Sequence, residues 1–106
     1  MTNFKYYNDS TTLMTIEAIT PLKLLTTLAT LNTCIDIEYN IDILNDILKV
    51  LEPIRLLSVK TIDKRNMYNY IINDGTKIIR VTVEDGFIIF TSINSSLVIS
   101  RLIQES

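Results

Sequence analysis

The sequence predicts an α+β domain built on a mainly antiparallel sheet. A four-stranded meander is expected over about residues 56–92, with two helices before it (about 21–31 and 41–51) and one after it (about 96–104). Three observations carry that expectation. Apolar residues recur at every second position from Leu56 onward, and both glycines of the chain sit in Asp-Gly pairs between such runs. The segments that open at Thr20-Pro21 and at Asn40 instead repeat their apolar residues at helical spacing. A length of 106 residues fits a single domain, 1–106, able to bury roughly two thirds of its unfolded surface without a metal or a disulfide.

Taken in order, Phe4 to Tyr7 precedes an Asn8-Asp9 turn signal and is read as the hairpin partner of Thr11–Thr20. In that second segment Met14, Ile16 and Ala18 alternate with Thr15, Glu17 and Ile19; a strand is expected, with a short helix as its rival. Thr20 caps a helix whose first residue, Pro21, gives up no needed N–H. Leu22, Leu24, Leu25, Leu28 and Leu31 form its apolar side, and Lys23, Thr26, Thr27 and Thr30 its polar stripe. Cys34 to Tyr39 alternates again and reads as a short strand.

Asn40 caps the second helix, Ile41 to Leu51, and Asp42 suits the positive end of its dipole. Its single polar stripe is Asp42, Asn45, Asp46 and Lys49, so the helix is expected to lie between other elements or beneath a partner chain. The meander strands are read as Leu56–Ile62, Met67–Ile72, Lys77–Val83 and Phe87–Ser92, separated by Asp63-Lys64-Arg65-Asn66, Asp74-Gly75 and Asp85-Gly86. Asn94 or Ser95 caps the last helix, which turns Val98, Ile99, Leu102 and Ile103 toward the sheet.

Composition narrows the chemistry. Histidine and tryptophan are absent, which removes the commonest general base, the commonest metal ligand and the strongest aromatic anchor. The carboxylates Asp36, Glu38, Asp42 and Asp46 read as solvated faces rather than a cation site, and no metal or other cofactor is expected. Cys34 has no base among its sequence neighbours and reads as a small core thiol; being alone, it forms no internal disulfide, and an intracellular setting is expected. No apolar run is long enough to span a bilayer. The 18 isoleucines, 13 threonines and 9 asparagines are the usage of an AT-rich coding genome.

Charge is unevenly spread behind a net value of −2. Residues 1–52 hold three lysines against seven acids, residues 53–80 six basic residues against two acids, and residues 81–106 one arginine against three acids. Two function classes follow. The first is a non-enzymatic protein-interaction module, a homodimer or a subunit of a hetero-oligomer, binding through Ile43, Ile47, Val50, Phe87 and Phe90. The second is a nucleic-acid-binding protein, winged-helix-like in outline. There Lys60, Lys64, Arg65, Lys77 and Arg80 would meet phosphates, and Tyr68 and Tyr70 would stack on bases.

Overall fold

The structure, a computed structural model, describes the backbone of residues 3–8, 13–17 and 20–105 and the side chains of residues 20–105. Seven strands and three helices follow one another as β1 (Asn3–Asn8), β2 (Leu13–Glu17), α1 (Pro21–Thr30), β3 (Thr33–Glu38) and α2 (Ile41–Leu51). After these come β4 (Arg55–Ile62), β5 (Arg65–Ile72), β6 (Lys77–Glu84), β7 (Phe87–Ile93) and α3 (Ser96–Glu105). The α+β class, the three helices and the four-stranded meander are those the sequence predicts. Residues 13–17 are strand rather than helix, paired with β1; the Asp9 side of the turn expected between them lies outside the described residues.

All seven strands join one sheet in the order β2-β1-β3-β7-β6-β5-β4, and every neighbouring pair is antiparallel. Strand β1 lies between β2 and β3, so those two run parallel and need a crossover, which α1 supplies. The same logic makes β3 and β4 parallel, with α2 carrying the chain past β7, β6 and β5 to the far edge. Both crossover helices lie on one face. Leu24 and Leu28 of α1 and Leu44, Ile47 and Leu51 of α2 pack on Ile35, Ile37, Ile79, Val81, Ile88, Phe90 and Tyr70. Helix α3 takes the opposite face, where Ile99 and Leu102 cover Leu57 and Ile78. A bulge between Leu56 and Ser58 frees Leu57 to join that second cluster.

The helix starts obey their caps. Thr20 Oγ1 accepts from the Lys23 N–H at 3.2 Å, Asn40 Oδ1 accepts from Asp42 and Ile43 at 3.0 and 3.2 Å, and Ser95 Oγ accepts from Val98 at 3.4 Å. The end of α1 has no glycine cap, and the sheet beneath it supplies the missing donors. Lys77 Nζ donates to the carbonyls of Leu28, Ala29 and Leu31 at 3.4, 3.1 and 3.4 Å. Ser92 Oγ donates to Leu28 at 2.6 Å, and Asn73 Nδ2 to Ala29 at 3.3 Å.

The turns depart from expectation in one respect. Ile62 pairs directly with Arg65, so the first meander loop is the two residues Asp63-Lys64, with φ of 50° and 65°. Two consecutive left-handed residues fit the type I′ turn that matches strand twist, here built without glycine. Gly86, at φ +82°, serves the two-residue loop before β7. Gly75, at φ +87°, closes a wider loop in which Asn73 and Asp74 are also left-handed.

Two stability outcomes follow. Lys64→Gly, which removes the Cβ from a left-handed position, is expected to raise unfolding free energy by about 1 kcal/mol in urea titration; a loss of stability would contradict the turn. Lys77→Met, which keeps the aliphatic stem but leaves the α1 carbonyls without their cation, is expected to cost about 2 kcal/mol. A change within error would show that solvent or Ser92 and Asn73 suffice.

Candidate functional site

The two faces of the sheet are not equally covered. On the helix-layered face Ile35, Ile37, Ile79, Val81, Ile88 and Phe90 are at most 2% exposed. Along the same strands, Cys34 and Asp36 of β3, Arg80 of β6 and Ile89 and Thr91 of β7 alternate to the other face and are only half-buried. Among the described residues, helix α3 shields the Ile78 end of that face; beyond it Asn69 and Thr82 are buried between their neighbours, and the half-buried side chains are the ones that reach the surface.

A polar row crosses this less covered face. The register places Ser58 opposite Asn69, Asn69 opposite Arg80, Arg80 opposite Thr91 and Thr91 opposite Cys34. Asn69, 1% exposed, donates through Nδ2 to Ser58 Oγ at 3.1 Å and accepts through Oδ1 from Arg80 Nε at 2.7 Å. Burial lowers the basicity of the Arg80 guanidinium, and among the described residues no carboxylate forms an ion pair with it. The Cys34 Sγ lies 3.9 Å from Thr91 Oγ1 and 3.9 Å from Asp36 Oδ1. Burial pushes its thiol pKa up, the Asp36 charge adds to the rise, and the Thr91 contact only partly opposes it.

The residues expected to bind a protein partner are dispersed by the fold. Phe90 and Ile47 are core residues, 0% and 5% exposed, and so are not surface contacts: they hold the crossover helices on the sheet. Ile43 packs against the same core, and Val50 lines an apolar crevice between α1 and α2. Of the five, only Phe87 stands at the surface, 50% exposed. The near-complete apolar coverage of α2 is therefore absorbed mainly by α1 and the sheet.

The basic set is dispersed as well. Lys77 is buried beneath α1, and Tyr70, 6% exposed, lies in the core and offers no free stacking surface, while Tyr68, half-buried, packs against that core beside it. Burial raises the Tyr70 pKa, with the neighbouring Tyr68 adding to it. Lys60 pairs with Glu105, and Arg65 Nε lies 3.5 Å from Glu84, which leaves Lys64 exposed at the hairpin tip and Arg80 on the less covered face. Helix α2 and the β4–β5 hairpin are parts of one layered sheet, not a recognition helix followed by a wing.

Asn69 was not singled out by sequence because both alternating faces of β5 carry apolar residues: Met67 and Ile71 on one, Tyr68, Tyr70 and Ile72 on the other. Lys77 did carry a signal, since it shares its parity with Ile79, Val81 and Val83. Among the described residues no group of three or more cysteine or acidic side chains gathers as a metal site, and no helix is long and apolar enough to cross a membrane. No protein-family model, curated protein or solved structure matches the chain.

The thiol environment is testable. Alkylation of Cys34 in the folded chain is expected to rise with pH through a midpoint above that of the same chain unfolded in guanidinium. The folded state holds the thiol proton more tightly, so stability from this group is full below the unfolded pKa and falls as pH climbs toward the folded one. A folded midpoint at or below the unfolded one would refute the assignment.

Proposed function

We propose that the chain is a non-enzymatic protein-interaction module that associates with a second copy of itself through the outer edge of β4. The observation that carries this reading is the state of that edge. Strand β4 ends the sheet, pairs only with β5 among the described residues, and runs for eight residues. It thereby presents a row of backbone donors and acceptors to a further strand. Leu56, Val59 and Ile62 along it are 44%, 51% and 50% exposed, giving apolar flanks to the unpaired backbone.

Edge strands are ordinarily guarded by lysines, bulges or a covering loop. Here the bulge at Leu57 lies toward the start of the strand and leaves Ser58–Ile62 regular. Lys60, the one lysine in β4, is drawn toward α3 by Glu105 and so is partly neutralised within its own chain. Antiparallel pairing of two β4 strands about Val59 would set Val59 against its copy and Ser58 against Lys60, with no like charges directly opposed. Closed two-fold pairing is also the commonest route to a soluble oligomer.

Light scattering at tens of micromolar is expected to show a dimer, and Val59→Lys, which places a free charge at the two-fold, is expected to return a folded monomer. A monomeric wild-type chain would refute the proposal. So would a Val59→Lys variant that remains dimeric.

A further inference from the structure

A half-buried guanidinium ordinarily sits against a carboxylate, because its desolvation is offset only by a strong partner. Arg80 departs from that pattern. Its Nε is held at 2.7 Å by Asn69 Oδ1, a neutral acceptor, and no hydrogen bond within the described chain engages its terminal nitrogens. Of the two described ion pairs, Glu84 lies against Arg65 and Glu105 against Lys60, and neither includes Arg80. Asn69, almost wholly enclosed, spends its amide donor on Ser58 and its carbonyl on Arg80, so the guanidinium is fixed in orientation as well as in place.

We propose that Arg80 anchors an oxyanion-binding site on the less covered face of the sheet, taking the phosphate or carboxylate group of a ligand through Nη1 and Nη2. With Nε occupied, the outward edge of the fork offers two parallel N–H donors, the arrangement that suits two oxygens of one anion. Two threonines flank it: Thr91, half-buried with its Oγ1 3.9 Å from Cys34 Sγ, is the cross-strand neighbour of Arg80, and Thr82, 8% exposed, lies two residues along β6 on the same face. Ile89, opposite Thr82, and Met67, on its other side, give the site a partly apolar floor in which a charged contact is worth more than in open water. Asn69 is a positioning residue, since it acts on the ligand only through Arg80.

The anion site lies on β6, two strands from the β4 edge, and meets that edge through Ser58, which accepts from Asn69. The test is NMR of the Arg80 Nε–Hε resonance in the full chain, titrated separately with inorganic phosphate and with acetate, against sodium chloride at matched ionic strength. A saturable shift absent from the chloride series is expected. Stronger binding in the phosphate arm would assign a phosphorylated ligand, and stronger binding in the acetate arm a carboxylate. Arg80→Lys, which keeps the charge and loses the fork, is expected to weaken binding about tenfold, the value of one charge-assisted hydrogen bond. Arg80→Gln is expected to abolish the shifts of the Thr82 and Thr91 amides. Shifts no larger than those in chloride, or saturation retained in Arg80→Gln, would overturn the proposal; the first result needs no variant and so is independent of any folding defect.

Discussion

Strand β7 is bound to β3 on one side and to β6 on the other, and the β3–β7 pairing makes one sheet out of what would otherwise be two. Without it the sheet would fall into a β1–β2–β3 unit and a separate β4–β7 meander. Five registered pairs join them, from Cys34 opposite Thr91 to Glu38 opposite Phe87, and the Tyr39 N–H extends the junction to the Gly86 carbonyl at 2.9 Å. At its centre Ile35 faces Phe90 and Ile37 faces Ile88, none more than 2% exposed. Each such side chain stabilises the fold by about 1.5–3 kcal/mol, more than the about 1–2 kcal/mol of backbone entropy lost in ordering one residue. The junction also sets which face is which, because a register slip of one residue would turn these four side chains outward.

Once that register is set, the placement of α1 follows from unsatisfied carbonyls as much as from apolar contact. Leucines at helical spacing would let α1 lie on the sheet in several positions. Lys77, Ser92 and Asn73 leave one, because their donors converge on the carbonyls of Leu28, Ala29 and Leu31. A buried lysine is costly unless its charge is met by several acceptors, and the bare end of a helix, with its partial negative charge, supplies them. The same contact fixes the α1–α2 pair over Phe90 and Ile79, so the burial of the sheet centre and the polar clasp at the helix end reinforce each other.

Much of this architecture was legible in the sequence because it is local. The Asn40 cap and the Pro53 breaker bracket α2, and the period-two runs mark the meander strands to within about two residues. Site residues were less legible because exposure is a property of the assembled layers. Phe90 and Ile47 read as surplus apolar surface only while β3 and α1 have nowhere assigned to go. Tyr68, Tyr70 and Lys77 look like parts of a basic aromatic surface until β6 parity and the position of α1 place them on the covered face. The turn at Asp63-Lys64 was hidden for another reason: without glycine it carries no strong signal for left-handed backbone.

The two crossover helices must share a face to bury Ile79, Val81, Ile88 and Phe90 together, and one ten-residue helix is left for the other side. That asymmetry determines where polar chemistry is retained. Helix α3 covers Ile78, Ile71, Ile93 and Leu57, and beyond it the same face carries Arg80, Thr82, Thr91 and Cys34 beside Met67 and Ile89. A face meant only to rest in water would need no enclosed asparagine aligning an arginine, since an exposed guanidinium is well solvated in any rotamer. Ser58, Asn69 and Arg80 form instead a hydrogen-bonded row from the edge strand toward the sheet centre, with its guanidinium end unmatched by any described acid. The fold thus places most apolar side chains of its sheet under the crossover helices and leaves a partly desolvated arginine on the less covered face, where an anion can reach it.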